Sequence, residues 1–141
     1  MFRFRLMFVL LSLAFSFSLA GCGQVSQGQS NTMVNNIIHK DGMVIQLRIS
    51  ENPVIARKKT DLTVRLSSGT ASSQLQVQKV WIQESMSDMS MPKSITPMRS
   101  SQSATYTGQS IFPMGGPWVL EVYVKLPNKT VNVAFPVHVQ E

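Results

Sequence analysis

Gly115-Gly-Pro-Trp118-Val-Leu120-Glu-Val122-Tyr-Val124-Lys125 is the stretch that decides the fold. Trp118, Leu120, Val122 and Val124 recur at every second residue, while Glu121 and Lys125 fall on the alternate positions. A period of two places one set on each side of an extended chain, so this is a half-buried strand and not a helix face. The Gly-Gly-Pro before it is turn chemistry and marks where the strand starts.

The same period recurs in both directions along the chain. Val131, Val133, Phe135, Val137 and Val139 form one face of the last strand; Val80 and Ile82 alternate with Trp81 and Gln83; Leu62, Val64 and Leu66 alternate with Thr63 and Arg65; Met43, Ile45, Leu47 and Ile49 alternate with Val44, Gln46 and Arg48. Breaks at Glu51-Asn-Pro53, Ser67-Ser-Gly69 and Pro127-Asn128 separate these runs, and Asn128-Lys-Thr130 reads as part of a hairpin turn. No stretch beyond the N-terminus has helical periodicity, and no internal repeat is present. Short strands at regular spacing predict an all-β, immunoglobulin-like β-sandwich of about seven strands. Pro136 cannot donate to a ladder, which places the last strand at a sheet edge or at a bulge.

The N-terminus carries an address. Arg3 and Arg5 precede an apolar run from Leu6 to Phe17, too short to span a bilayer, and the run ends in Leu19-Ala20-Gly21-Cys22. This looks like a bacterial lipobox, in which the cysteine thiol takes the lipid, so residues 1–21 are expected to be a lipoprotein signal peptide and Cys22 the lipidation site. Gly23, rather than an aspartate, follows the cysteine, so no inner-membrane retention signal is evident. Acyl chains on Cys22 would hold the mature chain on the extracytoplasmic face of a cell membrane. Cys22 is the only cysteine, so no intrachain disulfide is available and the core alone must hold the domain. Residues 22–38, the lipidated cysteine and a segment rich in Gln, Ser, Gly and Asn, read as a flexible tether, and residues 39–141 as the sandwich.

Loss of Arg3 and Arg5 with the signal takes the 13 basic residues to 11, against 7 acidic ones. That mild positive charge, outside the cytoplasm, argues against nucleic acid as a partner. Arg57-Lys58-Lys59 is the densest basic run; three residues fall short of the clusters that read as lipid-binding, so it reads as a solvated turn.

Methionine is the residue whose distribution needs a reason. Nine among 141 residues would put about 0.8 in a window of thirteen, yet Met86, Met89, Met91 and Met98 fall in one such window. Met114 follows in Phe112-Pro-Met114. Thioethers are soft, neutral and polarizable, so this group is a ligand set for Cu(I), an adaptable protein-binding surface on Met86, Met89 and Met91, or loop filler. His39 lies near the tether and His138 on the outward side of the last strand, so both read as exposed histidines. Glu84 and Asp88 flank the methionines and read as a solvated loop rim, with no nucleophile or oxyanion donor beside them to make an acid and base pair. Catalytic residues are not predicted, and the chain reads as a non-enzymatic binding module.

The order of a Met-Pro loop (Met91-Pro92), Tyr106, Phe112 and Gly116-Pro-Trp118 followed by Leu120-Glu-Val122 resembles the YtkA-like domain, a FixH-related immunoglobulin-like module of bacterial lipoproteins. The resemblance covers roughly residues 40–139. It implies a membrane-anchored module working near copper-handling and cytochrome oxidase assembly proteins, with an envelope or membrane protein as partner. Members that bind metal often place a histidine beside the Met-Pro stretch; here Lys93 stands after Pro92.

Overall fold

The computed structural model describes residues 34–69 and 75–141; the segment expected to be a signal peptide and the expected lipidation site, Cys22, lie outside them. Ten strands follow one another: β1 (Val34–Lys40), β2 (Met43–Ile49), β3 (Val54–Ile55), β4 (Lys59–Ser68), β5 (Lys79–Met86), β6 (Ser94–Pro97), β7 (Arg99–Gln102), β8 (Thr105–Ile111), β9 (Gly116–Lys125) and β10 (Thr130–Gln140). They form two five-stranded sheets in the orders β1-β2-β4-β8-β7 and β3-β10-β9-β5-β6. Every pairing is antiparallel except the short parallel contact of β3 with the end of β10. No helix occurs among the described residues. Seven of the strands have seven residues or more; five of them, β2, β4, β5, β9 and β10, are the alternating runs of the sequence, β1 and β8 are not among those runs, and β3, β6 and β7 are additional pieces of two to four residues.

The alternations become the two inner faces. Ile45, Leu47 and Ile49 of β2 and Leu62 and Val64 of β4 are fully buried, and they meet Ile82, Leu120, Val122 and Phe135 of the other sheet. At one end, Trp118 is 3% exposed and stands edge-on to Phe112, with ring centroids 5.2 Å apart. Burying apolar area between two sheets is the main stabilising term for such a domain. β10 has β9 on one side and meets β3 only at Val139 and Gln140, so Pro136 occupies a stretch with an open edge, where its missing N–H breaks no ladder. His39 and His138 are exposed, as their strand positions required.

Two expectations need correction. The first is the extent of the tether: Val34–Ile38 belongs to β1, which pairs with β2 over seven rungs from Val34↔Ile49 to Lys40↔Met43. Backbone pairing does not depend on the polarity of Asn35 and Asn36, and the Gln46 side-chain amide donates to Asn35 Oδ1 at 2.6 Å across the ladder. Asp41 (φ 53°) and Gly42 (φ 74°) close this hairpin with two left-handed residues, the turn whose twist matches paired strands.

The second concerns Glu84, which is no solvated rim. It is 2% exposed on the inward face of β5, with Asp88 outside in solvent. The Thr96 hydroxyl of β6 donates to Oε1 and the Ser110 hydroxyl of β8 to Oε2, each at 2.7 Å. A buried carboxylate must have its acceptors filled, and this one draws a donor from each sheet, so it ties the sandwich together across its core.

Candidate functional site

The strand ends sort the five candidate methionines. β5 ends at Met86, which lies opposite Trp118 in the β5–β9 ladder. Residues 87–93 then turn back as the loop of the β5–β6 hairpin and return at Ser94, opposite Glu84. The root of this loop is fixed: the Ser87 amide donates to the Pro117 carbonyl at 3.2 Å, and its hydroxyl points to the same oxygen at 3.4 Å. At the far side of the loop, Lys93 pairs with Glu121 at 3.4 Å. Asp88 and Ser90 between these anchors are exposed, and so is Met89, at 52%.

Below the loop, the segment entering β9 closes against it. The Trp118 indole N–H donates to the Met114 carbonyl at 3.1 Å, and the Gly115 amide to Glu141 Oε1 at 2.9 Å. Gly116 sits at φ 129°, and a Cβ built there would lie 2.7 Å from the Met86 methyl, so both backbone and space call for glycine. Met86 is 8% exposed and belongs to the core, with Met91 and Met114 half-buried against that core. Met86, Met89, Met91 and Met114 therefore gather at one end, graded from buried to exposed.

Met98 is elsewhere. Its amide donates to the Val80 carbonyl at 3.2 Å, and its sulfur covers Gly108, where a Cβ would come within 2.6 Å. Val80 and Met86 are six residues apart on one strand, about 20 Å at 3.3–3.4 Å per residue. Met98 is a packing residue of a different part of the core and shares no site with the other four.

Among the described residues no three His, Cys, Asp or Glu side chains gather as a metal would require. Glu84 and Asp88 do not act together, since one is sealed in the core and the other stands in water. Burial pushes the Tyr106 hydroxyl above its ordinary pKa of 10.0, but it stands on β8 opposite Val64, toward the other end of the sandwich. What the Met-bearing end offers is an apolar, polarizable rim on a rigid base, which suits binding rather than bond-making.

Neither a family model nor a curated relative matches the chain. Two solved structures share its fold. A DUF4426 family protein from Pseudomonas aeruginosa PAO1 matches with a TM-score of 0.51 at 10% identity, over 75% of this chain and 94% of its own. A DUF4785 family protein from Legionella pneumophila subsp. pneumophila str. Philadelphia 1 matches with a TM-score of 0.52 at 11% identity, over 70% of this chain. The match spans 28% of the Legionella chain. At such identities the likeness is one of small β-rich architecture and carries no chemistry with it.

Proposed function

We propose that this chain is a non-enzymatic binding module, lipid-anchored through Cys22 on the extracytoplasmic face of a membrane, that captures an envelope or membrane protein with the loop of residues 87–93. The observation that carries this reading is the pairing of an exposed Met89 with a pinned loop base. A large apolar side chain held out on a preordered loop loses little freedom on binding, and thioethers adapt to varied surfaces. The sandwich fold and the order of its motifs agree with a YtkA-like module.

The test compares side chains at one position in an in-cell cross-linking pull-down. Met89→Leu keeps apolar area and should retain the partner; Met89→Ser removes it and should lose the partner. Equal capture by both variants rejects the loop as the contact. The anchor is tested separately: Cys22→Ala should leave an unprocessed precursor that takes up no labelled fatty acid.

A second reading, Cu(I) binding or delivery, is favoured by the gathering of Met86, Met91 and Met114 at the Trp118 end. A thioether-only donor set suits a soft monovalent ion, which these residues would hold without releasing a proton. Met114→Leu with Met91→Leu should then abolish Cu(I) uptake in a competition titration while near-ultraviolet signals of the fold persist.

A further inference from the structure

The place where the chain enters the sandwich favours one end as the end that faces a membrane. Val34, the first residue of β1, pairs with Ile49, so the chain arrives at the end where β2 finishes and β4 begins. β10 and β9 place Val139 opposite Gly116 at that end, and Met86 lies opposite Trp118 there. The methionine loop and the entry of the chain therefore share one end.

That end also carries the basic turn. Arg57 (φ 61°) donates its amide to the Phe112 carbonyl at 2.7 Å, which fastens the turn to the tip of β8. Lys59 then stands opposite Ile111 in the β4–β8 ladder, and Ile111 is 57% exposed. Glu141 sits 3.7 Å from the Arg57 guanidinium, and among the described residues Lys58 and Lys59 have no salt bridge, with Lys59 beside the exposed Ile111.

We propose that the sandwich stands on the bilayer on this end, with anionic phospholipid head groups as the occupant of the Lys58, Lys59 and Ile111 ridge. The proposal rests on the lipid anchor at Cys22. Twelve steps separate Cys22 from Val34, and a chain spans at most about 3.3–3.6 Å per residue, so the leash cannot exceed about 43 Å. β10 alone, at eleven residues, runs about 37 Å from one end of the sandwich to the other. The opposite end, with Lys79, Lys125 and Lys129, reaches the same bilayer only on a nearly straight leash, whereas the entry end reaches it freely. Lysines in the head-group layer with an aliphatic side chain at its inner boundary are the pattern of interfacial contact. Docked so, the methionine loop is held at the membrane surface, which makes its partner a membrane-embedded protein.

The experiment is amide hydrogen exchange by mass spectrometry on the full lipidated chain in nanodiscs of phosphatidylcholine, with and without phosphatidylglycerol, against the unlipidated Cys22→Ser chain in solution. Exchange at residues 57–59 and 111–112 should slow on the discs, more so with phosphatidylglycerol, while residues 125–130 stay unchanged. Lys58→Glu with Lys59→Glu should reduce the phosphatidylglycerol-dependent part by about fivefold per charge. Protection at residues 125–130 instead, or none at 57–59, overturns the proposal. Acylation is read from the intact mass of the same sample: a chain without lipid overturns the anchor and this proposal together, and an acylated chain without protection overturns this proposal alone.

Discussion

The two ends of the sandwich are closed by different means. At the end away from the methionine loop, two hairpins among the described residues close with tight turns: Asp41-Gly42 joins β1 to β2, and between β9 and β10 the Leu126 amide donates to the Lys129 carbonyl at 2.8 Å, with Lys129 reaching Asp41 at 3.4 Å. At the entry end, the β5–β6 hairpin has a seven-residue loop, and the segment between β8 and β9 beside it is fixed by side chains bonding to backbone, as Trp118 does to Met114 and Glu141 to Gly115. A two-residue turn specifies its own geometry through φ alone. A seven-residue loop cannot, so it takes its order from contacts at its two ends, Ser87 on Pro117 and Lys93 on Glu121. Both anchors sit on β9, the strand that Trp118 seats in the core, so the order of the methionine loop is coupled to core stability at that end.

The largest effect expected from this contrast is at Trp118. Trp118→Ala removes the indole beneath Met86, its edge contact with Phe112 and its bond to Met114, and should cost about 3–5 kcal/mol in a urea unfolding titration. It should also abolish partner capture by the loop under conditions where the domain remains folded. A cost under about 1 kcal/mol would mean that the core does not support that end and the contrast is false.

Glycines give a smaller and more direct comparison. Gly116→Ala forces a side chain into φ 129° and against the Met86 methyl at 2.7 Å, whereas Gly42→Ala meets φ 74° with open space around it. The first should cost about 1–3 kcal/mol and the second about 1 kcal/mol, read from urea midpoints. If Gly42→Ala proves the more damaging, turn geometry rather than core contact is the scarcer resource, and the comparison inverts.

How much of this was legible before the structure depended on whether the signal was local. Alternation sufficed for β2, β4, β5, β9 and β10, because a buried face writes itself into every second residue. β1 escaped since Asn35 and Asn36 continue the polar composition of the tether, although Asp41-Gly42 before Met43 was a hairpin signal that would have found it. Glu84 shares its parity with Val80 and Ile82, which pointed inward, but the hydroxyls that make its burial tolerable lie 12 and 26 residues away in sequence. Such distant partners leave no trace in local spacing. Parity likewise marks Met86 as a core residue at the foot of the loop, and only the β5–β6 pairing reveals that Met98 has left the group.

The smallest expected effect lies at Tyr106 and tests whether the far end is insensitive to what happens at the methionine end. Burial raises the Tyr106 pKa in the folded state above its ordinary 10.0. A pKa raised on folding means that the unfolded chain gives up this proton first, so the contribution to stability is complete below about pH 10 and is lost as pH rises through the folded value. Lysines titrate in the same region, so the wild-type slope alone is uninformative. Tyr106→Phe removes only the phenol: its urea midpoint should fall less steeply above about pH 10 than that of the wild type, with equal slopes near neutrality. Parallel curves throughout would show that Tyr106 is solvated in the folded chain. Partner capture by the loop should be the same in both proteins at neutral pH. A loss of capture in the phenylalanine variant would show that the two ends communicate, which the separate closures at each end do not predict.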